Sequence, residues 1–271
     1  MYTLCAAVPV TEKISTDGVV LGVTSVDDEL FVLLYRHDDQ VAVHSISDYQ
    51  LLRHLNVPGY KPDCANDMTS CVRQKCLYMS DHDNRCIHRY DLVSSATSKW
   101  LVTGKSLGLS VTPSCNLLVT CREHNILVEL SADSGQRVRK MALQSDIVDP
   151  EHSVQLATGQ FVVCHGDGPS VLHRVCVVGD DGEVKRSYGG QHGSDVGQLY
   201  SPCHLAVDKD SEFIIVADYW NKRVVLLRPT LEFVRYVIEG LSSQPWRLYF
   251  HQATRRLFVG RTDRAVTVIQ L

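Results

Sequence analysis

Several features are scarce in this chain of 271 residues, and each scarcity removes a class of protein. No stretch approaches the roughly 18 consecutive apolar residues of a membrane-spanning helix, so no membrane span is expected. There is no basic excess: 27 Lys and Arg stand against 31 Asp and Glu, a net charge of -4, which is not the balance of a dedicated nucleic-acid binder. No Asn-x-Ser/Thr sequon occurs, and the apolar opening MYTLCAAVPV has no Lys or Arg ahead of it, as a signal peptide would. Both absences favour a cytoplasmic location. Ten cysteines are present, but none forms the Cys-x-x-Cys pair of zinc ribbons and redox motifs; the nearest neighbours are Cys71 with Cys76 and Cys115 with Cys121. Cys164 and Cys176 stand inside apolar runs, where a free thiol packs as a small apolar group. The Gly166-Asp-Gly168 turn lacks the sequence context of a phosphate loop, and no Gly-x-Ser-x-Gly elbow occurs, so neither a cofactor nor a catalytic nucleophile is expected. No linker rich in Pro, Gly, Ser or charge divides the chain, which reads as a single domain over residues 1–271.

What is present is a repeat. The stretch GQLYSPCHLAVDKDSEFIIVADYWNKRVVLLR, residues 197–228, contains two short apolar and β-branched runs, 205–207 and 213–217, around a polar turn, the pattern of a β-hairpin. A turn-forming Asp218-Tyr-Trp-Asn221-Lys segment then leads into a third strand at 223–227, and a fourth candidate strand follows at 233–238. Apolar runs followed by a polar turn and a second run recur from Leu30, Leu77, Leu117, Phe161, Ile214 and Leu257, at intervals of 40 to 53 residues. Four antiparallel strands in about 45 residues make one propeller blade. The fold class is therefore all-β: a six-bladed β-propeller of four-stranded antiparallel blades. The last blade runs out of chain after three strands, at 246–250, 257–260 and 265–269. Residues 2–10 are the expected fourth strand, closing the ring and removing an exposed edge, with Pro9 suited to the outermost position. The segment 179–198 reads as a flexible Gly-rich connection after blade 4.

The best-formed unit resembles an NHL repeat. That pattern places Gly and an apolar residue before Pro, then a strand pair ending in Asp, two residues, Asn, one residue, Arg and a β-branched residue. Here these are Gly197, Leu199, Pro202, Asp218, Asn221, Arg223 and Val224. A second copy stands at Asp81 and Asn84, with its Arg, Arg85, one place early. The chain is similar to the C-terminal domain of TRIM-NHL proteins. That resemblance implies a role as a binding platform, including substrate recognition in a ubiquitin-ligase system or RNA binding in post-transcriptional control.

In propellers the loop before each inner strand and the loop between the second and third strands open on one face, here called upper. The second-to-third loops are 36–40, 82–85, 122–125, 166–170, 219–222 and 261–264. They place Arg36, Arg85, Arg122, Lys222, Arg261 and Arg264 around the rim, with Tyr219 and Trp220 between them and Arg223 beside them. Trp and Arg are residues of protein-interface hot spots, so a protein is the expected partner of a monomeric domain. Basic residues interleaved with aromatics also suit RNA, but Asp38, Asp39, Asp83, Glu123, Asp167 and Asp263 occupy the same loops and offset the positive field. Counting about ten residues back from the second strands puts Asp67, Gly108, His152, His204, Arg247 and Val20 at the mouth of the central channel. Two histidines with an aspartate resemble in part the three-histidine site of the amidating lyase propeller, a zinc enzyme. With only two at matching places, the reading favoured is hydrogen-bonded channel histidines, no metal and no enzyme activity.

Overall fold

The computed structural model describes residues 10–35, 41–61, 65–169 and 171–271. They form 24 strands in chain order. The first is β1 (Val10–Ser15). Blade 1 comprises β2 (Val19–Val26), β3 (Glu29–Tyr35), β4 (Val41–Ser45) and β5 (Leu51–Leu55). Blade 2 comprises β6 (Ala65–Cys71), β7 (Cys76–Asp81), β8 (Cys86–Asp91) and β9 (Thr97–Leu101). Blade 3 comprises β10 (Ser106–Val111), β11 (Leu117–Cys121), β12 (Ile126–Leu130) and β13 (Arg137–Ala142). Blade 4 comprises β14 (Pro150–Gln155), β15 (Phe161–His165), β16 (His173–Val178) and β17 (Val184–Gly190). Blade 5 comprises β18 (Pro202–Val207), β19 (Ile214–Asp218), β20 (Arg223–Leu227) and β21 (Phe233–Ile238). Blade 6 has β22 (Pro245–His251), β23 (Arg256–Arg261) and β24 (Ala265–Gln270). Each of the six sheets is antiparallel and four-stranded, and β1 is the fourth strand of blade 6, paired along β24. Among the described residues no helix is long and apolar enough to cross a membrane.

The ring closes from the N-terminal side, but a few residues later than the expected 2–10. Within VTEKIS, Ile14 pairs with Val266 and is buried in the core between blades 6 and 1. That anchor fixes which residues form the strand; Pro9 and the rest of 1–9 lie outside the described residues. A second difference concerns 179–198. Residues Val184–Gly190 are the outer strand of blade 4, with Tyr188 opposite Val175. Glycines at 179, 182, 189 and 190 hid a strand inside what reads as a connection.

The middle strands are apolar on both faces because each is sandwiched between two neighbouring blades. In β3, Leu30, Val32 and Leu34 pack toward blade 6 while Phe31 and Leu33 pack toward blade 2. In β7, Leu77 and Met79 face blade 1 and Tyr78 faces blade 3. Six such clusters occupy the six blade interfaces. At roughly 25 cal/mol per Å² of apolar surface removed from water, these contacts are the main favourable contribution to the fold.

One corner of blade 5 carries a buried ion pair. The Asp218 carboxylate accepts the Tyr200 N–H at 2.7 Å, Asn221 Nδ2 at 2.8 Å and Arg223 Nε at 2.7 Å. Arg223 also donates to Ser194 O, Gln198 O and the Tyr236 hydroxyl, and its guanidinium lies over the Tyr236 ring. The repeat motif is thus a staple that fastens the segment between blades 4 and 5. Arg223, only 4% exposed, is not a surface contact residue as its place beside the loop implies. Replacing it by Leu leaves Asp218 buried without its cation. That change is expected to destabilise the fold by on the order of 3–5 kcal/mol, read by urea unfolding; a loss under about 1 kcal/mol would refute the staple. Removing residues 1–15 is expected to open β24 as a free edge, lowering both the melting temperature and the solubility, whereas unchanged melting would show that β1 does not close the ring.

Candidate functional site

Every inner strand carries a β-bulge near its start, after the first paired residue in blades 2 to 6 and after the second in blade 1. A bulge re-aims the side chain beyond it, and here it turns that side chain toward the ring axis. In blades 4, 5 and 6 the bulged positions lead to His152, His204 and Arg247; Asp67 and Gly108 lie within the corresponding irregularities of blades 2 and 3. In blade 1 the bulge falls between Val20 and Gly22, so Gly22, and not Val20, holds the axial position. The count back from Leu30 overshoots because the turn between β2 and β3 is shorter than its counterparts, Leu30 pairing with Ser25 where Ile214 pairs with Val207. Gly22 and Gly108 have no room for a side chain: a Cβ would stand 2.6 Å from Met68 Cβ in one case and 2.6 Å from Glu151 O in the other.

Asp67, His152, His204 and Arg247 are therefore brought together at the axis, all buried. Asp67 Oδ1 accepts the Met68 N–H and Oδ2 accepts the Leu109 N–H, both at 2.8 Å. His204 Nε2 lies 3.4 Å, Arg247 Nε 3.5 Å and His152 Nε2 3.7 Å from the same carboxylate. The two imidazoles stack with centroids 3.8 Å apart. Their surroundings assign the ring protons. His204 Nδ1 accepts the Leu248 N–H at 3.3 Å, so Nε2 carries the hydrogen, beside Asp67 but outside hydrogen-bond geometry. His152 Nε2 donates to Leu109 O at 3.1 Å, leaving Nδ1 as a bare acceptor. With both Nε2 atoms protonated the three side chains form a polar hub at the axis, and one ligand atom from each of Asp67, His152 and His204 lies within 4.8 Å of the other two. Burial opposes the Asp67 charge, yet His204, Arg247 and His152 outweigh it and hold the carboxyl below its usual range. Burial, then the neighbouring His204, lowers His152 to about 3; burial likewise lowers His204. Below the hub a cavity of about 650 Å³ opens on the lower face.

Above the hub, on the upper face, lies a smaller cleft of about 290 Å³. Its aromatic side is Tyr219, Trp220 and Trp246, with Tyr219 5.0 Å from Trp220 and 5.2 Å from Trp246, both edge-on. Its polar side is Arg122, which binds Asp149 at 3.0 Å and Glu151 at 2.5 Å and lies 3.6 Å from Asp167. Burial pushes the Glu151 carboxyl up, against the pull of Arg122. The Trp246 Nε1–H is buried with no hydrogen-bond partner among the described residues. Cys203 in the cleft wall donates weakly to Pro245 O, and burial holds its thiol far above the usual range, in the protonated form.

The remaining rim residues divide sharply. Trp220 is 50% exposed, and Lys222 and Arg264 project into solvent. Arg85 is exposed and pairs with Glu123 at 3.1 Å. Arg261, by contrast, is 5% exposed, bonded to Ser242 and Asp263. It is the last residue of β23, opposite Ala265, and points into the blade edge; its reading as a rim contact is corrected on that ground. Arg36 lies outside the described residues. Trp246 and Glu151, both in the cleft, escaped the sequence reading; each stands one place before an axial residue, Arg247 and His152, and that adjacency was the available signal.

No family model matches the sequence, and no curated protein matches it either. Among solved structures the chain is similar to virginiamycin B lyase from Staphylococcus aureus, with a TM-score of 0.65 and 9% identity over 96% of this chain and 88% of that one. It is similar also to a streptogramin B lyase, with a TM-score of 0.66 and 11% identity over 95% and 84%. A third match is the Kuenenia stuttgartiensis hydrazine synthase, with a TM-score of 0.67 and 14% identity over 95% and 97%. At these identities the likeness is one of fold, and it places the chain among six-bladed β-propellers.

The neutral hub makes stability depend on pH. Because both histidine values are lowered, the unfolded chain takes up protons below about 6.5 that the folded chain refuses. Their contribution is complete above that value and is lost as pH falls toward the folded-state values; Asp67, also lowered, adds a further loss below about 3.8. Unfolding free energy is expected to fall between pH 7 and 5, by up to about 1.4 kcal/mol per pH unit for each proton taken up. His152→Gln should make that fall shallower in a urea-midpoint series, and an equal slope in wild type and variant would show that the ring is not held neutral.

Proposed function

We propose that this chain is a non-catalytic binding platform that takes a protein partner on its upper face, around Trp220. The observation that carries the reading is the half-exposed Trp220 at the edge of the cleft, continuous with Tyr219 and Trp246. An aromatic anchor beside a desolvated pocket with a free donor, the Trp246 Nε1–H, is how interface hot spots are built. The hub side chains are committed to holding the ring, and the cleft thiol is protonated, so neither offers a nucleophile or base in this reading. The NHL resemblance of blade 5 fits the same role, since in TRIM-NHL proteins this domain selects the partner, including ubiquitin-ligase substrates.

RNA is the less favoured partner because the rim cations are largely answered within the molecule. Arg122 is surrounded by three carboxylates, Arg85 holds Glu123, and Arg261 and Arg223 are buried. Among the described residues that leaves Lys222 and Arg264 as exposed rim cations without such a partner, a weak electrostatic footprint for a phosphate backbone.

Crosslinked protein and RNA recovered in parallel on the intact chain identify the partner class. Trp220→Ala is expected to weaken the recovered protein partner by about 2 kcal/mol, roughly thirtyfold, with little change in melting temperature. Arg264→Ala and Lys222→Ala should leave the salt dependence of that binding nearly flat. A drop of about one unit of salt slope per cation removed would instead assign the face to RNA. Full retention of binding by Trp220→Ala would sink the upper-face reading.

A further inference from the structure

Blade 2 repeats the staple of blade 5 with one member missing. Asp81 stands where Asp218 does, at the end of the second strand, and Asn84 binds it through both its backbone and side-chain N–H groups, at 2.9 to 3.0 Å. In blade 5 the residue opposite the aspartate is Arg223, whose guanidinium neutralises it. In blade 2 the residue opposite is Cys86, and the next side chain on the same face is His88. Arg85 does not fill the gap. It occupies the left-handed turn position, with φ of 49°, matching Lys222 with φ of 51°, and reaches outward to Glu123.

Asp81 is thus a carboxylate, 1% exposed, at a site built for a cation, with a thiol and an imidazole in the cation's place. All three side chains are buried, and one ligand atom from each lies within 4.8 Å of the other two. His88 Nε2 is 3.3 Å from Asp81 Oδ2. Zinc bonds of about 2.0–2.3 Å in a tetrahedron set ligand atoms about 3.3–3.7 Å apart, so little movement would seat an ion. Burial and the neighbouring Asp81 carboxylate push the Cys86 thiol up, against the pull of Lys99 on the exposed outer strand β9. Tyr60 covers the imidazole edge-on at 5.1 Å and closes the corner from the blade 1 side.

We propose that Asp81, Cys86 and His88 form a site for a borderline divalent cation of the zinc type, which supplies to blade 2 the positive charge that Arg223 supplies to blade 5. A carboxylate, a thiolate and an imidazole are the donor set such an ion prefers, with a fourth position left for water or a further ligand. On binding, the Cys86 thiol gives up its proton to solvent, and the His88 proton moves from Nε2 to Nδ1 so that the Nε2 lone pair meets the metal. The site is independent of the partner face around Trp220.

The test is a titration of the chelator-treated full chain with cobalt(II) alone, read by tetrahedral ligand-field absorption and a thiolate-to-cobalt charge-transfer band. Stoichiometric uptake is expected, together with a higher melting temperature in zinc. Cys86→Ser and His88→Gln should lose both signals, and His204→Gln should keep them. Circular dichroism checks that each variant is folded, so an unfolded Cys86→Ser leaves His88→Gln to decide. Cys86→Arg, which installs the blade 5 arrangement, should fold, take up no cobalt and gain nothing from zinc. Absence of the charge-transfer band in wild type, or its persistence in folded Cys86→Ser or His88→Gln, would overturn the proposal.

Discussion

The structure depends on one buried carboxylate. A ring of six sheets has no continuous core across its middle, since each apolar cluster belongs to a pair of adjacent blades. Something must hold the inner strands in a common register at the axis. Asp67, from blade 2, gathers the Leu109 N–H of blade 3 and faces His152 of blade 4, His204 of blade 5 and Arg247 of blade 6. Arg247 in turn donates to Leu21 O of blade 1 and Asn66 O of blade 2, while His204 accepts from Leu248 of blade 6. All six blades meet in this network. Removing one partner of such a buried ionic group is far more disruptive than replacing the whole set, because the remaining charge is left in a low-dielectric interior. The hub therefore specifies closure of the ring more than it adds to its stability.

This commitment shapes what the two ends of the channel can do. The imidazoles that a catalytic reading would draw on have their protons fixed by backbone groups, and burial first, then the neighbouring charges, keeps them neutral. The upper cleft, one residue further out along each inner strand, is different. There Arg122 pairs with Glu151 in partial burial, and Trp220 extends past the rim into solvent. The proposed recognition on the upper face rests on this difference between hub and rim.

Much of this was legible in the sequence because burial on two faces leaves continuous apolar runs, and their recurrence from Leu30 to Leu257 counts the blades. The axial set followed from a fixed count to the second strand. That count failed at Val20 because the turn joining the first two strands of blade 1 is shorter: Leu30 pairs with Ser25, whereas Ile214 reaches back to Val207. The rim reading failed at Arg223 and Arg261 for another reason. Both lie at strand ends bordering a loop, and one position decides whether a guanidinium faces solvent or folds back on a carboxylate. The outer strand Val184–Gly190 was masked by glycines that lower β propensity but serve close approach, as at Gly189, whose Cβ would stand 2.3 Å from His173 O.

The two axial glycines have a consequence for how the ring tolerates rearrangement. Six equivalent positions carry four side chains, because Gly22 and Gly108 leave theirs empty and the backbones of Met68 and Glu151 move into the space. The pseudo-sixfold repeat is therefore broken at its centre, and each blade has a fixed address. New termini placed in a loop between blades preserve every axial neighbour, whereas exchanging, duplicating or deleting a blade puts a side chain against one of these backbones or leaves Asp67 without a donor. The chain can be cut and rejoined around its ring, but its blades cannot be dealt out in a different order.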